Sequence, residues 1–227
     1  MSADTVKICG IKRVTDATAA VEAGASMIGF VFVAKSPRSI APDDANEVVT
    51  EVKQYCYEKG FEAPKFTGLF VDAGEKLLAE TAPFLNAFQF HGHEDAERLA
   101  EIRDDFGLEI IKAVAVGVVS DFEGLAPVAE ASDLLIFDAR PPKGSERNGG
   151  NGEAYDWSLL KHYCEETPFL IAGGLTVENV AAAIAAGNGH TAFAGVDVST
   201  GVERAPGDKD ADLISEFARR ARAAMKV

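Results

Sequence analysis

The 227-residue chain has no apolar run near the roughly 18 residues of a membrane span. Its first residues, Met1-Ser2-Ala3-Asp4, carry neither the basic stretch nor the apolar core of a secretory leader. A soluble protein acting in the cytoplasm, with no membrane partner, is expected. Cysteine is scarce: Cys9, Cys56 and Cys164 are far apart and odd in number, which excludes a disulfide framework and a CxxC metal pair. Histidine is as rare, with four residues; His91 and His93 share the spacing of some metal ligands, but no other Cys/His cluster supports them. A metal site is therefore not expected. Basic residues are few, 22 against 36 acidic ones, and the net charge of −14 repels nucleic acid as a partner. A dinucleotide fingerprint is absent too. The nearest match, Gly187-Asn188-Gly189-His190-Thr191-Ala192, leads into a strand instead of following one.

What is present is an alternation. Apolar, β-rich runs fall at 6–9, 27–33, 66–71, 87–90, 109–114, 133–137, 169–172 and 191–196. They are apolar on both faces, as buried parallel strands are. Helical periods lie between them. Ala45, Val48, Val49 and Val52 repeat at i, i+3, i+4 and i+7, as do Val177, Val180, Ala181 and Ile184, with Gly187 placed to end that helix. Ile214, Phe217, Ala218 and Ala221 repeat the pattern near the C-terminus. Pro42-Asp43-Asp44 and Thr176 mark helix starts. Eight such units close most simply into one (β/α)₈ barrel, an α/β domain over residues 1–227, because closure leaves no strand edge. The irregular segment 140–155, rich in Gly, Pro and Asn, is long enough for a functional loop. Cys56 and Cys164 fall on helix-like segments and read as packing residues.

In such barrels the active site forms at the C-terminal ends of the strands. Polar groups gather there: Cys9 after strand 1, Arg38 after strand 2, Asp72 after strand 3, Gln89 and His91 at strand 4, Asp138 after strand 6, Gly173 and Gly174 after strand 7, Asp197, Ser199 and Thr200 after strand 8. The glycines and hydroxyls after strands 7 and 8 suit a phosphate, because glycine lets backbone N–H groups approach an anion and a helix start adds positive potential. Arg38 offers a planar fork for a carboxylate, and His91 a donor to substrate. Lys7 and Cys9, two apart on one strand, face the same way. Facing the barrel axis, Lys7 needs a carboxylate partner. Cys9 is either filler or a thiolate base made available by positive surroundings. Its partner acid is one of Asp72, Asp138 or Asp197.

The segments "KICGI", "GFVFVAKSPRSI", "QFHG", "FDA", "GGNGEAYDW", "IAGGLTVENV" and "GVDVSTGVE", in this order over nearly the whole chain, resemble the phosphoribosylanthranilate isomerase family. The resemblance implies a cofactor-free (β/α)₈ barrel and the Amadori rearrangement of N-(5-phosphoribosyl)anthranilate in tryptophan biosynthesis. It implies Cys9 as general base, Asp138 as general acid, Arg38 against the anthranilate part, and Gly173, Gly174, Ser199 and Thr200 as phosphate ligands. His91 and Asp197 are the further candidates for substrate contact. The expected partner is a phosphorylated small molecule, and the expected assembly a monomer or homodimer. Two features depart from the family: extra residues around 143–148, and Tyr155 where phenylalanine is more familiar.

Three rival readings have distinct signatures. A sugar-phosphate isomerase of histidine biosynthesis uses two aspartates on a duplicated half-barrel. A Schiff-base lyase would use Lys7 or Lys112. A phosphometabolite sensor would need the phosphate turns but not both Cys9 and Asp138. The acidic excess also suits a salty cytoplasm, where screening relaxes self-repulsion. The unfolding midpoint is expected to rise between low and molar KCl; an unchanged or falling midpoint contradicts this salt adaptation.

Overall fold

The β-branched and aromatic runs become strands because each is buried on both faces, where a pleated, apolar surface packs best. The computed structural model describes residues 4–140 and 154–225. Eight parallel strands form a closed barrel: β1 (Thr5–Cys9), β2 (Met27–Val31), β3 (Lys65–Phe70), β4 (Ala87–Phe90), β5 (Glu109–Val116), β6 (Leu134–Ala139), β7 (Phe169–Ile171) and β8 (Phe193–Val198). Closure is completed by β1 against β8, with Lys7 opposite Asp197. The expected (β/α)₈ architecture is thus present.

Among the described residues seven α-helices wrap the barrel: α1 (Val14–Glu22), α2 (Pro42–Lys59), α3 (Glu75–Thr81), α4 (Ala96–Phe106), α5 (Ala126–Glu130), α6 (Val180–Gly187) and α7 (Ala211–Met225). The expected apolar stripes of α2 and α7 face inward: Ala45, Val48, Val49 and Val52 are buried, as are Ile214, Phe217, Ala218 and Ala221. In the third stripe Val177, Val180 and Ile184 are buried but Ala181 is exposed, and Ala183 is buried in its place. Pro42 opens α2, and Gly60 closes it in the left-handed conformation. No helix of the described residues is long and apolar enough to cross a membrane.

Two apolar layers result. Outward-facing strand residues such as Val6, Ile8, Phe30, Phe66, Phe88 and Phe137 join the helices in one large cluster. Inside the barrel a smaller cluster packs Met27, Ala87, Ile111, Ala113, Leu134, Ile136, Leu170, Ala172 and Ala194. Between β6 and β7 a 3₁₀ turn at Trp157–His162 stands where other units have a helix. Aromatic rings cover that side: Phe137 lies 4.9 Å from Phe169 and 5.0 Å from Tyr163 between ring centroids. Each such pair contributes about 0.5–1.5 kcal/mol beyond the area it buries.

Some boundaries differ from expectation. The helix expected to follow Thr176 begins at Val180, because the Asn179 side chain accepts the Thr176 N–H and adds a turn first. Strand β8 starts later than expected and runs on to Val198, so Asp197 lies within it. Two short antiparallel strands, β9 (Glu203–Ala205) and β10 (Asp208–Lys209), follow β8 and had no counterpart in the sequence reading. Cys56 is buried as expected, but Cys164 is exposed, because it follows the 3₁₀ turn instead of facing the core. Of the 140–155 loop, positions 141–153, including the extra residues around 143–148, lie outside the described residues.

One irregularity in β8 decides which side chains enter the barrel. Phe193 pairs with Phe169, but Gly195 pairs with the next residue, Leu170, so Ala194 is an inserted bulge residue. Phe193 and Val196 both pack outward and Ala194 inward. Strict alternation from Phe193 would turn Asp197 outward; the bulge resets the phase and turns it to Lys7. Gly195 has φ 144, and a Cβ there would overlap the Thr5 carbonyl oxygen. Gly195→Ala is therefore expected to destabilise the barrel by about 1–3 kcal/mol, read as a lower urea midpoint, and to cut turnover in the molecules that still fold. An unchanged midpoint contradicts this account of the bulge.

Candidate active site

At the end of β1, Lys7 and Cys9 point into the barrel, as their two-residue spacing requires. Lys7 is 0% exposed and Cys9 only 4%. Gly29 of β2 stands beside both, and a Cβ there would lie 2.9 Å from the Cys9 sulfur and 3.2 Å from Lys7 Nζ. Its missing side chain is the space they fill. A buried ammonium demands a partner. Lys7 Nζ donates to Asp197 Oδ1 at 3.0 Å. Burial alone would lower the Lys7 pKa, but Asp197 and Cys9 outweigh it and hold the ammonium protonated.

Cys9 itself stands between opposing influences. Burial pushes its thiol up, and the lowering by Lys7 and Lys209 does not offset this. Positive surroundings are present, but the protonated thiol is the resting form.

The three candidate acids occupy different settings. Asp72 sits at the rim with φ 47, where its carboxylate takes the His93 backbone and ring N–H groups, and those bonds lower its pKa. Asp197 is committed to Lys7. Asp138, near the end of β6, has no Lys or Arg partner among the described residues. Its Oδ1 accepts the Ala139 N–H at 2.8 Å, and its Oδ2 lies 3.5 Å from His91 Nε2. Burial, reinforced by the Asp197 charge, pushes its carboxyl up to about 7. His91 is pulled down to about 4 by burial and by Lys112, so its ring is neutral. Lys112 in turn donates to Gly92 O at 2.7 Å and to Glu94 at 2.8 Å. Both lysines that a Schiff-base lyase could use are thus ion-paired.

A cavity of about 230 Å³ opens at this end of the barrel. Asp138, Gly173, Gly174, Asp197, Ser199 and Thr200 line it. The structure therefore brings two of the three candidate acids, the glycine turn after β7 and the hydroxyls after β8 to a single space. A parallel bridge between Thr176 and Gly201 ties the turns after β7 and β8 together. Cys9 is not among the residues lining this cavity; it ends β1, two residues nearer the barrel mouth than the fully buried Lys7.

Arg38 is buried, and its fork is already engaged. Nε and Nη2 donate to the Glu203 carboxylate at 2.7 Å each, and Nη2 also reaches Thr200 Oγ1 at 3.2 Å. Lys209, 1% exposed, donates to Glu203 Oε1 and to the Ser199 carbonyl, both at 2.8 Å. Arg38, Glu203 and Lys209 thus brace the strand-8 hydroxyls. Sequence reasoning missed Glu203 and Lys209. Glu203 closes the "GVDVSTGVE" segment, and only the β9–β10 hairpin brings Lys209 back to it. Tyr155 approaches the same site: its hydroxyl is buried with no hydrogen-bond partner among the described residues, and burial and the nearby Asp138 raise its pKa. Among the described residues no group of three His, Cys, Asp or Glu side chains could hold a metal ion.

Comparison with known proteins places this geometry. A family model described as N-(5'phosphoribosyl)anthranilate (PRA) isomerase matches residues 6–220. The N-(5'-phosphoribosyl)anthranilate isomerase of Rhodospirillum rubrum is 45% identical over 224 residues, covering 98% of this chain and 99% of its own length. That of Rhodopseudomonas palustris (strain BisB5) is 44% identical over 220 residues, covering 96% and 95%. The crystal structure of phosphoribosyl anthranilate isomerase from Thermotoga maritima superposes with a TM-score of 0.80 at 35% identity, covering 98% of this chain and 100% of that one. Another such isomerase, solved in complex with reduced 1-(o-carboxyphenylamino)-1-deoxyribulose 5-phosphate, has a TM-score of 0.77 at 32% identity, covering 98% and 100%. With the barrel, the cavity and these relatives in agreement, the chain belongs to the N-(5'-phosphoribosyl)anthranilate isomerase family.

Proposed function

We propose that Asp138 as general acid and Cys9 as general base carry the reaction of this isomerase in tryptophan biosynthesis. That reaction is the Amadori rearrangement of N-(5-phosphoribosyl)anthranilate to 1-(2-carboxyphenylamino)-1-deoxyribulose 5-phosphate. The observation that carries the assignment is Asp138: a carboxyl group pushed up to about 7, on the wall of the cavity that also holds the glycine and hydroxyl turns. A carboxylic acid that keeps its proton near neutral pH can donate it to a sugar oxygen.

Asp138 gives its proton to the furanose ring oxygen, and the C1–O bond breaks. The electron pair on the anthranilate nitrogen makes the opened carbon a protonated Schiff base. That cation acidifies the proton on sugar C2. Cys9 thiolate removes it, and the C–H electrons form the enolamine, which tautomerises to the ketone. Gly173, Gly174, Ser199 and Thr200 hold the phosphate through backbone N–H and hydroxyl donors, so its binding energy is used to position the distant reacting carbons. Arg38 meets the anthranilate carboxylate with Nη1, the edge that Glu203 and Thr200 leave unengaged. Neutral His91, 3.5 Å from Asp138, and Asp197 complete the substrate contacts. A soluble phosphorylated substrate is consistent with a cytoplasmic enzyme. The assembly is a monomer or a homodimer; the Thermotoga maritima relative is described as dimeric.

The test is the loss of substrate fluorescence with purified protein. Cys9→Ala or Asp138→Asn is expected to lower kcat by ~10²–10⁴-fold with phosphate binding retained. Near-normal turnover in either variant removes that residue from its role. Arg38→Ala is expected to act mainly on KM, and an unchanged KM removes Arg38 from substrate binding.

A further inference from the structure

We propose that Lys7 is a positioning residue for this reaction: wedged between the Cys9 sulfur and the Asp197 carboxylate, its ammonium favours the thiolate of the base, while Asp197 favours the proton on Asp138. This rests on Cys9 and Asp138 as the acid–base pair and asks what keeps the proton on the correct one.

A carboxyl group is ordinarily several pH units more acidic than a thiol. Where the pair shares one proton, the thiol takes it, and that arrangement is the wrong one: the reaction needs the proton on Asp138 and none on Cys9. The geometry works against this default from both sides. Lys7 fills the space left by Gly29, beside the sulfur. Asp197, 3.0 Å from Lys7, lines the same cavity as Asp138. The negative charge of Asp197 raises the Asp138 pKa and the positive charge of Lys7 lowers that of Cys9. The ion pair is thus oriented, cation toward the base and anion toward the acid.

Among the described residues, other charges face these groups as well. From β10, Lys209 also faces Cys9, but its ammonium is held by Glu203 and Ser199. Asp197 faces Cys9 too, and raises its pKa. Around Asp138 stand Asp197 from β8, Lys7 from β1, His91 after β4 and Tyr155. His91 is neutral, so among the described residues the Lys7–Asp197 pair is the charged contribution that can order the proton. A cation of purely structural value would satisfy Asp197 equally well without influencing the thiol.

The experiment follows the Cys9 thiol itself, by carbon NMR of cysteine Cβ across a pH series, with the Cys9 signal assigned from Cys9→Ser. In Lys7→Met the midpoint is expected to rise by about one pH unit or more, which is tenfold less thiolate per unit. kcat should fall about tenfold or more, with KM changed less than threefold. Lys7→Arg, which keeps the charge, should restore the midpoint toward that of the natural chain. In Asp197→Asn the midpoint should move the other way, downward. If Lys7→Met does not fold, the Arg and Asn variants decide: a Lys7→Arg midpoint far above the natural one, or an upward shift in Asp197→Asn, overturns the proposal. So does an unmoved midpoint in folded Lys7→Met, whatever its turnover. Failure of Cys9 as the base would appear separately, as turnover in Cys9→Ala.

Discussion

The molecule is arranged around one buried ion pair, Lys7 with Asp197, where the first strand of the barrel meets the last. Removing two charges from water costs several kcal/mol per ion. A pair this deep is consequently weak evidence of stability, and breaking it on one side would leave an uncompensated charge. Its value lies in what it orients. The ammonium side faces a sulfur and the carboxylate side faces a cavity, and neither would do so if the strands met in another register.

Three features serve that register. The Ala194 bulge turns Asp197 inward, Gly195 lets β8 approach Thr5, and Gly29 leaves room for the sulfur and the ammonium together. None contributes much stability of its own. Glycine within a strand weakens it, and the bulge interrupts the ladder. The apolar layers on both sides of the sheet tolerate these local costs. Charge outside the barrel interior is organised similarly. Arg38 and Lys209 share the Glu203 carboxylate, and this network fixes the turn carrying Ser199 and Thr200. The hydroxyl-bearing side of the cavity is thereby held from behind.

Local pattern was enough to find the eight strands and the stripes of α2 and α7, because burial on a helix or strand face leaves a period in the sequence. It was also enough to say which polar residues stand at the strand ends, since a barrel's direction is common to all its strands. It failed at irregularities. The start of α6 depended on an Asn179 side chain, the exposure of Cys164 on a turn in place of a helix, and the β9–β10 hairpin on pairing over two or three residues. Short pairings and single side-chain caps leave no period to read.

By itself the sequence determined the barrel, the end at which chemistry gathers, and through its seven ordered segments the family. It did not decide between Asp72, Asp138 and Asp197, nor the charge state of Cys9. Those depend on which groups become neighbours: Asp72 with His93, Arg38 with Glu203, and Lys7 with Asp197 across a sequence separation of 190. Electrostatic energy falls with distance and rises as water is excluded. An aspartate's role is therefore set by the neighbours that barrel closure gives it, and no stretch of chain contains that information before the ends have met.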